Sequence, residues 1–266
     1  MSYNKFVAAA VCALVSSAAT AQGITGGELG FGYSTFLDDD IDTSLYTFNG
    51  GVEIGFSPEF SLGLSGASYS AASGDEDNIT DTNITVHGIF NLNDATALGV
   101  FVGRDFLAEE EIDPDDPTAE IAEATTYVGA EARTSFAGGS VEGYLGFLDS
   151  DIDGDDDVTQ TIFGVEAAYE AAPSFDVLLG IDSYRVSDDD ESITVTAVSI
   201  GGAYKIAGGP SIYGEFGNVS ISGSDGDVDV SFGDESFVGL GVTYTFGPAG
   251  TDGAFGSRSR NDAIGF

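Results

Sequence analysis

The stretch Val238-Gly239-Leu240-Gly241-Val242-Thr243-Tyr244-Thr245-Phe246 places a large apolar side chain at every second position, with glycine or threonine between. Successive side chains of a β-strand point to opposite faces of the sheet, so this stretch has one apolar face and one face of small residues. The same alternation recurs about a dozen times from Leu29 onwards. The sequence therefore predicts an all-β fold.

Six other segments show the alternation clearly, at 47–56, 60–65, 83–90, 127–136, 163–169 and 198–206. Less regular segments lie near Leu98, Leu145, Leu179 and Phe216. Together they predict about twelve strands, with ten or fourteen as alternatives.

Short and long connections alternate between the predicted strands. The short ones are 57–59, 91–94, 137–139, 172–174 and 207–210, and the long acidic ones are 38–42, 73–81, 109–123, 149–157, 187–192 and 222–235. Alternation of this kind puts the turns at one end of the sheet and the loops at the other. It indicates a closed antiparallel up-and-down transmembrane β-barrel, with periplasmic turns and extracellular loops.

The first residues differ from the rest of the chain. Lys5 precedes an apolar run at 6–15, which is too short to cross a bilayer as a helix, and Ala19-Thr20-Ala21 fits a leader cleavage site. We therefore predict a signal peptide at 1–21, a barrel at 22–247 and a flexible tail at 248–266. As an alternative, Arg258 and Arg260 of the tail enter the lumen. The single cysteine lies in the leader, so the exported chain has no disulfide.

The charge of the chain is strongly negative, with 45 acidic against 7 basic residues and a formal net charge of −38. Nucleic-acid binding requires a basic patch that neutralises phosphates, so the composition excludes nucleic acid as a partner.

The leader, the Gly-rich hairpin Ile200-Gly201-Gly202-Ala203-Tyr204-Lys205-Ile206-Ala207-Gly208-Gly209 and the closing strand together resemble the Gram-negative porin and outer-membrane β-barrel family. The resemblance implies localisation in the outer membrane, recognition by the barrel-assembly machinery, and a homo-oligomer as in general porins. Outer-membrane lipid and lipopolysaccharide are further expected partners. In that family a terminal aromatic serves as the assembly signal, which Tyr244 and Phe246 match. Here the chain continues to Phe266.

Charged residues on the faces opposite the apolar ones are predicted to line the lumen. A charge on the lipid face costs about 2–4 kcal/mol near mid-bilayer, so the inward placement is favoured. The predicted lining residues are Glu28, Glu53, His87, Glu131, Arg133, Glu142, Glu166, Asp182, Lys205 and Glu215. Carboxylates outnumber basic groups in this set, which favours cations over anions.

Two arginines continue the apolar faces of their strands near long loops. We predict that Arg104 and Arg185 project outward at the extracellular rim and contact lipid phosphates. Simple snorkelling of the side chains to water is the alternative.

One acidic loop resembles a calcium-binding loop. Asp149, Asp151, Asp153 and Asp157 match acidic positions of an EF-hand loop, but Gln160 replaces the bidentate glutamate at its end. The pattern predicts a weak calcium or magnesium site, with a solvated acidic loop as the alternative. No other cofactor is expected.

The sequence favours a channel for passive diffusion of small, preferentially cationic solutes. No enzyme is predicted, because His87 is the single histidine and has no evident serine or aspartate partner pattern. One alternative is a non-conducting surface barrel in adhesion or membrane integrity, and another is a secreted calcium-binding acidic β-sandwich. About twelve strands leave either a narrow pore or a filled lumen.

Overall fold

The computed structural model describes residues 23–38, 43–73, 79–109, 120–150, 158–188, 191–207, 209–225, 228–247, 255–256 and 258–259. Its strands in chain order are β1 (Ile24–Phe36), β2 (Thr43–Gly55), β3 (Phe60–Ser73), β4 (Ile79–Asn93), β5 (Thr96–Glu109), β6 (Glu120–Phe136), β7 (Gly139–Ser150), β8 (Thr159–Ala172), β9 (Phe175–Ser187), β10 (Glu191–Lys205), β11 (Ser211–Asp225) and β12 (Val228–Phe246). In this part of the chain there is no helix long and apolar enough to cross a membrane.

The sheet closes on itself. Each strand is antiparallel to its neighbours in the chain, and β1 pairs with β12 from Gly27 opposite Phe246 to Phe36 opposite Phe237. Closure leaves no edge strand with unpaired backbone groups. The predicted up-and-down barrel with twelve strands is confirmed.

The five short connections join β2 to β3, β4 to β5, β6 to β7, β8 to β9 and β10 to β11, so they share one end of the barrel. In the turn between β6 and β7, Gly138 has φ of 87°, which favours glycine. β1 begins and β12 ends at this same end of the barrel, because Ile24 pairs with Ile54 beside the turn between β2 and β3, and Phe246 pairs with Gly27.

The predicted boundaries of the long loops are partly wrong. β11 runs to Asp225 and β12 starts at Val228, so most of the loop predicted at 222–235 is a paired hairpin with an irregularity between Ile221 and Ser222. The ladder also enters the predicted loops at 109–123 and 187–192, where β6 begins at Glu120 and β10 at Glu191. Pairing satisfies the backbone whatever the side-chain charge, so acidic residues do not end a strand.

The outer surface carries a belt of exposed apolar side chains. Val100 is 64% exposed, Leu240 is 62% exposed and Val128 is 59% exposed. An apolar surface this extensive calls for an apolar environment.

Buried apolar side chains form clusters on the inner face of the barrel. Phe101, Tyr127, Tyr144, Leu148 and Ile162 form one buried cluster across β5 to β8. A second cluster, which includes Val219 and Phe237, lies across β10 to β12. Aromatic and aliphatic groups therefore share the inner face with the charged residues.

Candidate functional site in the barrel lumen

A hydrogen-bonded chain of three side chains crosses the inner wall. His87 on β4 is fully buried, its Nε2 lies 2.8 Å from Ser65 Oγ on β3, and its Nδ1 lies 2.7 Å from Glu131 Oε1 on β6. The imidazole thus bridges a hydroxyl and a carboxylate from strands on either side of it.

Two glycines leave the space that the hydrogen-bonded side chains of Glu131 and His87 occupy. Glu131 and His87 are separated by β5, where Gly99 lies opposite Glu131 in the ladder. A side chain at Gly99 would collide with the Glu131 side chain. Likewise Gly63, opposite His87 on β3, leaves room for the imidazole. The missing side chains let a β6 carboxylate reach a β4 histidine.

Residues 255–256 and 258–259 of the C-terminal tail lie in the lumen, where Arg258 meets the carboxylates. Arg258 is 1% exposed, and its Nε lies 3.1 Å from the second oxygen of Glu131. Its Nη2 pairs with Glu142, and its guanidinium lies 4.4 Å from the centre of the Tyr144 ring. A buried guanidinium requires such partners, because an unpaired buried charge is strongly unfavourable.

The backbone of the tail is also held by the wall. Asn83 donates from Nδ2 to the Arg258 carbonyl at 2.7 Å, and the Arg258 amide donates to Thr85 Oγ1 at 3.3 Å. Ser259 donates to Asp105 Oδ2 at 3.3 Å. The tail is therefore seated by specific contacts on β4 and β5.

Phe255 extends the contact towards the short-turn end. Its ring is stacked on the His87 ring, with centroids 6.0 Å apart, and it packs with Ile89 and Ala97. The Arg133 guanidinium lies 4.7 Å from the Phe255 ring and donates to Glu53 at 2.9 Å. The Glu53–Arg133 pair spans from β2 to β6, across the lumen.

The predicted lining residues fall into several groups. Glu131 and Glu142 meet at Arg258, and Glu53 meets Arg133. Asp182 accepts a hydrogen bond from the Tyr144 hydroxyl at 2.9 Å. Lys205 lies apart at the short-turn rim, 2.8 Å from Asp176. Their proposed role in selectivity stays a prediction.

The remaining members of the predicted set lie elsewhere on the inner face. Glu215 on β11 lies between Gly201 and Gly239 in the ladder, both of which are small enough to accommodate it. Glu166 on β8 lies opposite Glu142, and Glu28 lies on β1 opposite Gly51.

The predicted lipid-contact residues lie away from the lumen. Arg104 and Arg185 are exposed near the long-loop ends of β5 and β9, and the Arg104 guanidinium lies 5.5 Å from the Phe106 ring. Arg185 lines a shallow cavity of about 490 Å³ together with hydroxyl residues of β10 to β12, namely Ser192, Thr194, Ser222, Ser224 and Ser231. Whether lipid binds there stays a prediction.

The predicted metal site falls largely outside the described residues. Asp151, Asp153 and Asp157 are beyond them, and only the backbone of Asp149, in β7, is described. Within the described ranges, no group of three or more histidine, cysteine or acidic residues is arranged to hold a metal ion. The calcium or magnesium site stays a prediction.

The assembly-signal residues occupy the closing seam of the barrel. The rings of Tyr244 and Phe246 are stacked with centroids 6.5 Å apart, and Phe246 lies opposite Gly27 of β1. The predicted leader lies outside the described residues.

The sequence predicted the tail arginines in the lumen only as an alternative, and it did not identify Phe255 or Ser65 as parts of a site. A usable signal was the position of Arg258 in a chain with only 7 basic residues, three residues after Phe255. The predicted alternative, in which tail arginines enter the lumen, matches the position of Arg258, whereas Arg260 lies outside the described residues.

Ser65, His87 and Glu131 follow the order of a nucleophile, a base and an orienting acid. Acyl transfer also needs hydrogen-bond donors around the oxygen of the reacting carbonyl. Ser65 Oγ instead donates to the carbonyl oxygen of Gly256 in the tail, at 3.3 Å. We therefore interpret the contacts of Ser65 and His87 as structural: Ser65 orients the imidazole of His87, and His87 holds the Glu131 carboxylate in place.

Comparison with solved structures shows that this barrel has the fold of several outer-membrane proteins. The KdgM porin in complex with disordered oligogalacturonate matches with a TM-score of 0.52 and 10% identity, over 82% of this chain and 99% of that one. The chain shares the fold of outer-membrane porins. The COG4313 outer membrane channel from Pseudomonas putida F1 matches with a TM-score of 0.53 and 13% identity, over 84% of this chain and 96% of that one.

At the level of sequence, no protein-family model matches the chain, and no curated protein matches it. The likeness therefore concerns the fold, and the function must be argued from the lumen itself.

Proposed function

We propose that the chain is an outer-membrane channel for passive diffusion of small solutes, with a preference for cations. The observation that carries this proposal is a closed barrel with an apolar outer belt and carboxylates on its inner wall. The belt suits the hydrocarbon of a bilayer, and closure leaves the inner wall to contact water and solutes.

The charge of the inner wall supports the preference for cations. Arg258 is shared by Glu131 and Glu142, and Arg133 is paired with Glu53. Glu28, Glu166 and Glu215 place further carboxyl groups on the inner face. A lumen of this sign attracts cations and disfavours anions.

The ligand named for the KdgM porin differs in charge from the solutes that we propose for this barrel. An oligogalacturonate carries one carboxylate on each sugar, and its complex is a property of that protein. The acidic wall of this barrel disfavours a polyanion, so we propose a different class of solute here.

Conduction depends on the tail. Phe255 and Arg258 are both 1% exposed and occupy the interior beside His87 and Tyr144. With these side chains in place the path is obstructed at this level, so we propose that solutes pass when the tail leaves the wall.

A second candidate function is a non-conducting surface barrel that acts in adhesion or membrane integrity. The observation that favours it is the same filling of the lumen by the tail. In this case the long-loop end carries the function.

Outside the barrel, we propose that Arg104 and Arg185 contact outer-leaflet lipid, including the phosphates of lipopolysaccharide. Both are exposed near the long-loop end, and guanidinium groups bind phosphate oxygens in pairs. We further propose recognition of the β12 aromatics by the barrel-assembly machinery, and a homo-oligomer.

A planar-bilayer experiment separates the two candidate functions. A salt gradient across the purified barrel should give currents whose reversal potential lies on the cation side of zero. Absence of current from both the wild type and Arg258→Ala would favour the non-conducting barrel, and an anion-side reversal potential would contradict cation preference.

A further inference from the structure

We infer that the lumen contains a binding site for guanidinium-bearing cations, which the chain's own Arg258 occupies in this structure. This inference rests on the proposed channel function and names its class of solute. The site consists of Glu131, Glu142 and Tyr144, which we call the guanidinium site.

The guanidinium site is built entirely from two paired strands. Glu131 on β6 lies directly opposite Tyr144 on β7, and Glu142 lies two positions from Tyr144 on the same strand. Alternate residues of a strand share a face, so all three side chains point to the lumen. None of them belongs to the tail, and the site remains when the tail leaves.

Side chains of the barrel wall that do not belong to the tail orient two members of the site. The Glu131 carboxylate is fixed by His87 at 2.7 Å, and His87 is fixed by Ser65 at 2.8 Å. The Tyr144 hydroxyl is fixed by Asp182 at 2.9 Å. Groups that are already oriented lose little freedom when a ligand binds.

The geometry suits a guanidinium better than an ammonium group. Two carboxylates approach separate edges of the planar Arg258 group, at Nε and at Nη2, and the Tyr144 ring lies 4.4 Å from its carbon. A guanidinium offers several N–H donors in one plane and a face that stacks on an aromatic ring. An ammonium ion lacks this planar fork.

Arg258 occupies the guanidinium site but does not belong to the barrel wall, so its side chain can leave the site. It arrives from beyond β12, and its backbone is held by hydrogen bonds from Asn83 and to Thr85. A free solute that carries a guanidinium can replace its side chain without any change in the barrel wall. The tail and the solute therefore compete for one site.

The first test uses the full-length Arg258→Ala variant in detergent micelles, with methylguanidinium as the probe. Calorimetric titration should show binding at least about tenfold tighter than that of methylammonium, because planar pairing and stacking favour the guanidinium. Adding Glu142→Gln to this variant should abolish the preference. Arg104→Ala, on the outer surface, keeps Arg258 in place and should bind methylguanidinium more weakly than Arg258→Ala does, because the probe must displace the Arg258 side chain.

The second test uses the wild-type chain, so it does not depend on the folding of a variant. Hydrogen exchange at 255–259 should become faster with methylguanidinium and remain unchanged with methylammonium. Equal responses to the two cations, or no response to either, would overturn the inference, as would a Glu142→Gln change that leaves the preference intact.

The channel and the site fail separately in these experiments. A barrel that binds methylguanidinium and passes no current refutes the channel and supports the site. A barrel that conducts cations but binds methylguanidinium and methylammonium equally refutes the site and supports the channel.

Discussion

Gly99 on β5 lies opposite Glu131 on β6, and the absence of a side chain at Gly99 opens the path by which the Glu131 carboxylate reaches across β5 towards β4. There it meets His87 at 2.7 Å. A glycine in the interior of a strand weakens the strand, and here it marks a close approach of another side chain. The arrangement of the lumen thus depends on small residues as much as on charged ones.

Replacing Gly99 with valine should lower the free energy of unfolding by about 1–3 kcal/mol, because the new side chain displaces Glu131 in a filled interior. Unfolding by urea, followed through the heat-modifiable migration of the barrel on a gel, measures the change. Gly88→Ala on the neighbouring strand is the matched control, since its added carbon meets only ordinary contacts. A Gly99→Val barrel as stable as the control would contradict this account.

Replacing Arg258 with alanine should increase the single-channel conductance severalfold, because the ion pairs with Glu131 and Glu142 anchor the tail in the lumen. Planar-bilayer recordings of the variant and the wild type measure the change. Arg104→Ala removes an arginine from the outer surface and should conduct like the wild type. Equal conductance of all three proteins would show that the tail does not obstruct the path.

The Glu53–Arg133 pair should show an energetic coupling of about 0.5–3 kcal/mol, the range for residues in direct contact. Glu53 and Arg133 are largely buried, lie 2.9 Å apart and come from strands that are not neighbours. A double-mutant cycle with Glu53→Gln and Arg133→Gln, measured by urea unfolding, gives the value. Simple addition of the two single effects would mean that the pair does not hold the two walls together.

Neutralising inward carboxylates should move the reversal potential towards zero. The variant Glu166→Gln/Glu215→Gln removes two negative charges from the inner face and keeps the side-chain volume, so the attraction for cations falls. The change is measured in the Arg258→Ala background under a potassium chloride gradient. Glu59→Gln, in the exposed turn between β2 and β3, serves as the control. An equally large shift of the reversal potential in the control would mean that charges at the mouth of the barrel, and not those on the inner face, set the preference for cations.

A serine-reactive fluorophosphonate should leave Ser65 unlabelled. Ser65 is buried, and its hydroxyl donates to the Gly256 carbonyl, so we expect it to be held away from the reagent. Mass spectrometry of the treated wild type and of Arg258→Ala detects the adduct. Labelling of Ser65 that disappears in a Ser65→Ala control would assign chemistry to the Ser65–His87–Glu131 chain.

The barrel was predictable because its signal is local. Leu240, Val242 and Tyr244 share one face through a period of two, and this period needs no knowledge of distant residues. The alternation of short turns and long loops then fixed the direction of each strand. The hairpin at 222–235 was missed because its acidic residues suggested a loop, although Val228 and Val230 keep the strand period.

The partners within the lumen were not predictable, because they depend on register and on contacts distant in the chain. Glu131 and Arg258 are 127 positions apart. The link between His87 and Glu131 passes over Gly99, a residue that in the sequence alone looks like any other strand glycine. Inward placement of the carboxylates follows from periodicity, whereas their pairing requires the closed sheet.

The covalent attachment of Arg258 to the barrel has a quantitative consequence for how the protein responds to its surroundings. A group on a short tether acts at an effective concentration on the order of millimolar, whatever the solution contains. A free competitor of equal intrinsic affinity must therefore reach a similar abundance outside the cell before it displaces the tether. The tail would then be displaced only above a threshold concentration of the competitor outside the cell. The length of the tether would set that threshold.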